Sequence, residues 1–157
     1  MSPPRVNPVV IRAAMQIDLL HPVIGGPAGE YRPQLSAVMR SHSGSVLVAE
    51  LDGEIVGRIT LGQSGHDGDI SGFIVIKRTR RQGIGTTLMD AAEDEARRRG
   101  CKRLRLTVAK VNAGAIALYA ERGYQRVAQG MSAGLRTPEG VVVHPPEPVW
   151  EMTKPID

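Results

Sequence analysis

Apolar and polar residues alternate along this chain with a period that switches between two and about 3.6, and the switches predict its elements. Residues 46–61 give the plainest strand pair. SVLVAEL and EIVGRITL flank Asp52-Gly53, a dipeptide suited to the positive φ angles of a tight type I′ turn. PVVIRAA at 8–14 predicts a first strand, ISGFIVI at 70–76 a buried one and RLRLTVA at 103–109 an alternating one. Residues 15–43 read as helical in two pieces, broken by IGGPAG at 24–29. Residues 83–99 carry the strongest helical period. Ile84, Leu88, Ala91, Ala92 and Ala96 share one apolar face, while Asp90, Glu93, Asp94 and Arg97 to Arg99 are expected outside. Gly100 is a natural stop. AGAIALYAERGY at 113–124 predicts a short helix ended by Gly123. YQRVAQG and VWEMT predict two late strands around a Pro-rich connection, and GQSGHDGD at 62–69 reads as a loop. The order β-α-α-β-β-β-α-β-α-β-β interleaves helices and strands, which predicts an α/β fold with helices flanking one mixed sheet.

The 157 residues suit a single domain over residues 1–157. Aromatics are only 3 % of the chain, so aliphatic side chains must fill the core. The lone cysteine, Cys101, excludes an internal disulfide and a Cys-rich zinc site. A reduced, cytoplasmic setting is the simple expectation, and no metal is expected. No apolar run approaches the roughly 18 residues that span a bilayer, and the first residues, MSPPRVNPVV, lack a signal peptide's apolar stretch. A membrane partner is therefore not expected. The net charge of +4 favours an anionic ligand without implying nucleic acid.

The segment RRQGIGT at 80–86 joins a predicted strand to a predicted helix. Backbone N–H groups at a helix start lack internal partners, and the helix dipole adds partial positive charge there. The first turn of this helix carries no carboxylate, and Lys77, Arg78, Arg80 and Arg81 lie just upstream. The pattern suits a phosphate-bearing ligand, although a solvated basic loop explains it equally well. A P-loop needs G-x-x-x-x-G-K-[ST], which is absent. A dinucleotide fingerprint needs a third glycine where Leu88 stands, and an acid at the end of the next strand, which reads TVAKVN.

Arg80-Arg81-Gln82-Gly83-Ile84-Gly85 fits R/Q-x-x-G-x-G/A, and NAGAIALYAERGY at 112–124 fits N-x-x-A-x-x-L-Y-x-x-x-G-F/Y. Together with the hairpin AELDGEIVGRITL, these segments resemble the GCN5-related N-acetyltransferases (GNAT), in family order over roughly residues 46–128. Lys77 departs from the proline that many members carry there. The resemblance implies a GNAT fold, with a mixed, mostly antiparallel sheet, and acetyl-CoA as cosubstrate, bound through residues 70–99 and 103–124. Arg80, Arg81, Gln82, Gly83, Ile84, Gly85 and Thr86 are then the pyrophosphate segment, acting through the N–H groups of Gln82, Gly83, Gly85 and Thr86, with Arg81 beside it. Phe73, Ile74 and Val75 pair with the pantetheine arm, and an N–H near Ile74 or Val75 polarises the thioester carbonyl. Asn112 contacts the cofactor and Tyr119 protonates the leaving thiolate. Asn112 and Tyr119 are seven residues apart, so they share a helix face about 10 Å apart along its axis. Without the motif, Tyr119 reads as a core aromatic and Asn112 as a helix N-cap. Both roles of Asn112 can coexist.

Acetyl transfer to an amine needs the neutral amine, which is scarce at pH 7, so a general base is wanted. Asp69 is the first candidate, with Ser71 and Glu50 behind it. His66 and Asp67 read as solvated, and Cys101 as structural, because direct attack needs no acyl-cysteine. The resemblance places the acceptor site at residues 21–33 and 130–148. The latter stretch resembles that of a small-molecule branch including tabtoxin-resistance and related antibiotic-modifying acetyltransferases. A small-molecule primary amine is the first expectation. A protein lysine or N-terminal amine, or a CoA-binding module without turnover, are the alternatives. His144 could contact a substrate, but Pro145 and Pro146 beside it suggest a rigid connector with an exposed histidine. A nucleic-acid binder using the basic runs at 77–81 and 97–105 lacks the aromatics for stacking. A homodimer through the late strands is the expected assembly.

Overall fold

The computed structural model describes residues 8–80, 83–137 and 139–156. Its main sheet has seven strands: β1 (Val10–Ala13), β2 (Gly44–Leu51), β3 (Glu54–Ser64), β4 (Asp67–Val75), β5 (Arg103–Ala109), β6 (Gln125–Met131) and, after a small hairpin of β7 (Leu135–Arg136) and β8 (Val142–His144), β9 (Pro148–Pro155). The sheet order is β1-β2-β3-β4-β5-β9-β6. Only β4 and β5 run parallel. The helices are α1 (Pro22–Gly25), α2 (Arg32–Ser41), α3 (Ile84–Arg98) and α4 (Ala113–Glu121).

Both faces of the sheet are covered at β2, which is why its alternation is blurred, whereas every residue of β6 at the sheet edge is exposed. Leu47 and Ala49 join the core under α3 and α4, whereas Val46 and Val48 join a second core with Ile24 of α1 and Leu35 of α2. The hairpin turn is as the sequence predicts: Asp52 and Gly53 have φ of 54° and 79°. The α3 stripe also holds, with Ile84, Leu88, Ala92 and Ala96 buried.

Four expectations need correction. Residues 62–69 are mostly strand, because β3 and β4 form one long hairpin pairing Ser64 with Asp67. Glycines hid it: Gly65 takes the turn at φ 60°, and Gly68 leaves no room for a Cβ, which would sit 2.7 Å from Leu104 and 3.1 Å from Leu61. The first helical piece is a 3₁₀ segment over Gln16–Leu20 followed by the four-residue α1, since Pro22 restarts the chain there. The Pro-rich connection contains β7 and β8. Glu93, expected outside, is 4 % exposed. It accepts from Tyr124 Oη and Lys154 Nζ, both at 3.0 Å, and faces Arg122 at 3.1 Å, so α3 is tied to β9 and to the end of α4.

Two irregularities of β4 open the sheet at one point. Opposite Arg58 to Thr60 of β3 its register slips, and Gly72 turns to φ 58° at the bulge. Its pairing with β5 stops after Asp69↔Arg105, while β5 continues against β9 as far as Ala109. Beyond Asp69 the two strands therefore part, leaving a gap between them.

Candidate active site

Two cavities meet at this opening. The first, about 500 Å³, lies between β4, the start of α3 and α4. Phe73, Ile74, Val75, Arg80, Ile84, Gly85, Asn112 and Tyr119 all line it. Gly83 caps α3 at φ 80° and is solvent-exposed, as is Thr86. Arg81 and Gln82 lie outside the described residues. Thr79, Gly114, Ala115 and Leu118 also line this cavity. The last three were hidden in the sequence as unassigned positions of the segment 112–124, on the same helix as Tyr119.

The edge of β4 facing this cavity carries a backbone N–H with no partner among the described residues. Ile76 N–H donates to Val56 O on the β3 side at 2.9 Å. Neighbouring residues of a strand point their N–H and C=O groups to opposite edges. Val75 N–H therefore faces the opening, and Val75 O on that edge accepts from Arg80 Nε at 3.1 Å. At Gly85, a Cβ would approach Phe73 Cζ to 3.2 Å, so a glycine there keeps the cavity open.

The second cavity, about 580 Å³, is lined by Ser71 and Gly72 of β4, Tyr31 and Gln34 near the start of α2, and His144 and Glu147 around β8. Ser132 to Leu135 close its rim. His144, read from sequence as a connector, thus belongs to a cavity wall. Phe73, Asn112, Ala115 and Tyr119 line both cavities.

Asn112 caps α4, its Oδ1 accepting from Ala115 N–H at 3.1 Å, which leaves its amide NH₂ available. Tyr119 is 8 % exposed. Its ring sits 6.5 Å from Phe73 and 5.9 Å from Tyr124, centroid to centroid. Its hydroxyl makes no hydrogen bond among the described residues, and burial pushes its pKa up. The site therefore holds a protonated phenol between two cavities.

The candidate bases are spread out. Asp69 pairs with Arg105 Nε at 3.0 Å. It lines a cleft of about 220 Å³ that shares Ile70, Ser71, Leu106 and Thr107 with the second cavity. Ser71 lines both. Glu50 is remote: it pairs with Arg12 at 2.6 Å and lines a different cleft. Asp67 pairs with Arg103 at 3.0 Å. Cys101 is buried, its thiol pushed up by desolvation, against the core. Many of the basic residues are matched by carboxylates: Arg78 by Glu54, Arg97 by Asp94, and Arg98 and Arg99 by Glu95. That leaves less free positive surface for a nucleic acid than the sequence suggests. Among the described residues no helix is long and apolar enough to cross a membrane.

Known proteins agree with this architecture. Residues 13–124 match the acetyltransferase (GNAT) family model. The uncharacterized protein YdhI of Bacillus subtilis (strain 168) is 38 % identical over 73 residues, which cover 46 % of this chain and 44 % of that protein. The match thus spans less than half the length of that relative. The ribosomal-protein-alanine N-acetyltransferase of Brucella melitensis superposes with a TM-score of 0.72 at 25 % identity, over 94 % of this chain and 99 % of its own. The protein yncA of Salmonella typhimurium, solved with its cofactor acetyl-CoA, gives 0.70 at 23 % identity, over 96 % and 95 %. With the family model covering most of the chain and the parted β4–β5 pair opening onto an N-cap asparagine and a buried tyrosine, the chain belongs to the GNAT acetyltransferase family.

Proposed function

We propose that this chain transfers an acetyl group from acetyl-CoA to the primary amine of a small molecule, by direct attack. The observation that carries the reading is Tyr119, a buried phenol with a free hydroxyl on the wall shared by the two cavities. When bound, acetyl-CoA supplies an activated thioester. The residues present fit it. The open edge of β4 at Val75 offers an N–H with no partner among the described residues, Gly85 leaves the groove clear, and Arg80 lies at its end. Gly83, Ile84 and Thr86 form the acid-free start of α3, where an anion is favoured. Arg81 and Gln82 belong to the same motif. Val75 N–H is the donor placed to polarise an acyl oxygen.

On the acceptor side, Asp69 takes the proton of the amine through water, with Ser71 lining the path, and Arg105 fixes the orientation of its carboxylate. Tyr119 gives its proton to the departing sulfur. A protein N-terminal amine is the second reading, favoured by the likeness to the Brucella enzyme.

Thermal melts with acetyl-CoA, CoA, NADPH and ATP at two salt concentrations test the cosubstrate. A ligand at 100 times its dissociation constant adds about 2.7 kcal/mol, or roughly 5–10 °C at this size. A shift of that order with acetyl-CoA, kept in salt and absent with NADPH, supports the reading. Equal shifts with every polyanion reduce the RRQGIGT turn to a basic helix entry. Thiol release with small amines, set beside peptides with free N-termini, then separates the two acceptors. Asp69→Asn should lower kcat in the thiol-release assay with little change in acetyl-CoA affinity, and an unchanged rate takes Asp69 out of the mechanism.

A further inference from the structure

The acceptor side contains a buried cation that acetyl transfer itself does not use. Arg58 lies on the β3 face that meets α1 and α2, and it is 2 % exposed. Among the described residues it makes no ion pair. Nε donates to Val23 O at 3.1 Å, Nη1 donates to Gly72 O at 2.7 Å, and the guanidinium stacks 4.3 Å from the Tyr31 ring centroid. Nη2 has no protein acceptor among the described residues. Glu30 lies near enough to act on this charge, but its carboxylate is turned to Ala28 N–H at 2.8 Å. A desolvated guanidinium held by two neutral carbonyls is left short of negative charge.

Two residues further along the same face stands Thr60. It is 4 % exposed, and its Oγ1 is buried with no hydrogen-bond partner among the described residues. An unpaired buried hydroxyl costs about 1–3 kcal/mol, so its retention in the fold calls for an explanation. Arg58 and Thr60 line one cavity of about 180 Å³, together with Tyr31, Gln34, Ser71 and Gly72. The last four also line the acceptor cavity. The small cavity is therefore a side pocket of the acceptor site, with a cation, a free hydroxyl and an amide at its walls. Its volume, about 180 Å³ or roughly six waters' worth, leaves room for a small oxyanion and the carbon that bears it, with Leu35 and Val38 as the apolar wall. A carboxylate can take one bond from Arg58 Nη2 with one oxygen and a second from Thr60 Oγ1 with the other.

We propose that this pocket binds a carboxylate of the acceptor, so that the substrate is an amino acid or another small amine bearing a carboxylate. The proposal rests on acetyl transfer to a small amine in the adjoining cavity. Arg58 Nη2 and Thr60 Oγ1 supply the donors, and Tyr31 keeps the guanidinium in plane.

The first arm of the test compares amino acids with their primary amides in a thiol-release assay. The pairs match in shape, and kcat/KM is referred to the neutral amine because the α-amine of the amide is the weaker base. The acids should give kcat/KM at least tenfold higher than the amides. Thr60→Val, which removes only an unpartnered hydroxyl, should keep the fold and reduce that preference about tenfold through KM for the acid. Equal use of acids and amides, or a preference unmoved by Thr60→Val, overturns the proposal. The second arm needs no turnover. The ¹⁵N resonance of Arg58 Nε is followed during titration with acetate or propionate at constant ionic strength. A saturable shift absent with chloride supports the pocket even if no amine is acetylated, in which case the transfer reading fails alone. Turnover without any such shift overturns the pocket and leaves the transfer reading in place. A shift with inorganic phosphate but not with carboxylates also overturns it.

Discussion

Replacing Tyr119 with phenylalanine removes one oxygen and leaves the ring between Phe73 and Tyr124. That oxygen has no partner among the described residues, so the folded state loses no hydrogen bond. Stability should change by less than about 0.5 kcal/mol, which is under roughly 2 °C in melting temperature. The rate should respond very differently. A positioned acid contributes about 10²–10⁴-fold, and at about 1.36 kcal/mol per decade that is roughly 2.7–5.4 kcal/mol of barrier. Burial raises the Tyr119 pKa, so the phenol stays protonated through neutral pH. The same desolvation raises the proton affinity of a thiolate leaving beside it, which preserves the driving force for transfer. The assay is thiol release at saturating acetyl-CoA, paired with a melt of each protein. Tyr119→Phe should keep acetyl-CoA affinity while kcat falls at least about 10²-fold. A variant with unchanged melting temperature and kcat within about threefold of the parent refutes the acid role.

The packing sets three further outcomes. Gly85→Val should weaken acetyl-CoA binding by about tenfold or more, read by calorimetry, because even a Cβ would come within 3.2 Å of Phe73 Cζ in the groove. Binding at full strength would place the ligand elsewhere. Glu93→Gln should cost about 2 kcal/mol in a urea melt, since Lys154 and Arg122 lose the charge that pairs them, and a loss below about 0.5 kcal/mol would show that the network only positions α3. Hydrogen bonds from Arg12 lower the pKa of Asp18, so the folded state binds its proton more weakly than the unfolded chain. That contribution is complete above the ordinary carboxylate pKa of about 4 and is lost as pH falls below it. Asp18→Asn should accordingly flatten the acid limb of a stability–pH curve measured by denaturant melts, and an unchanged limb would remove Asp18 from the acid transition.

Local chemistry made much of this legible from the chain alone. Asp52-Gly53 fixes its turn through backbone angles, and the period of α3 picks out Ile84, Leu88, Ala92 and Ala96 as buried. Asn112 and Tyr119 come together because seven residues nearly close two helical turns. What stayed hidden depends on partners distant in sequence. Arg58 reads as a polar position of an alternating strand, and only Val23, 35 residues away, and Tyr31 bury it. Glu93 reads as an outward acid until Tyr124 and Lys154 arrive from other elements. Gly68 looks like a loop residue until Leu104 and Leu61 show that nothing larger fits. Where Asp69 stands relative to the cavities depends on the exact point at which β4 parts from β5, which no local pattern encodes.

The two cavities have different walls and share four residues, Phe73, Asn112, Ala115 and Tyr119. On the proposed reading, in which acetyl-CoA fills the first cavity and the acceptor the second, the two reactants do not compete for one space. Either can arrive first, and neither product has to leave before the other reactant comes in. Initial rates plotted against one reactant at fixed levels of the other should therefore intersect rather than run parallel, and a large excess of acceptor should not displace acetyl-CoA. A molecule joined from both halves and threaded past Tyr119 would hold both chambers at once.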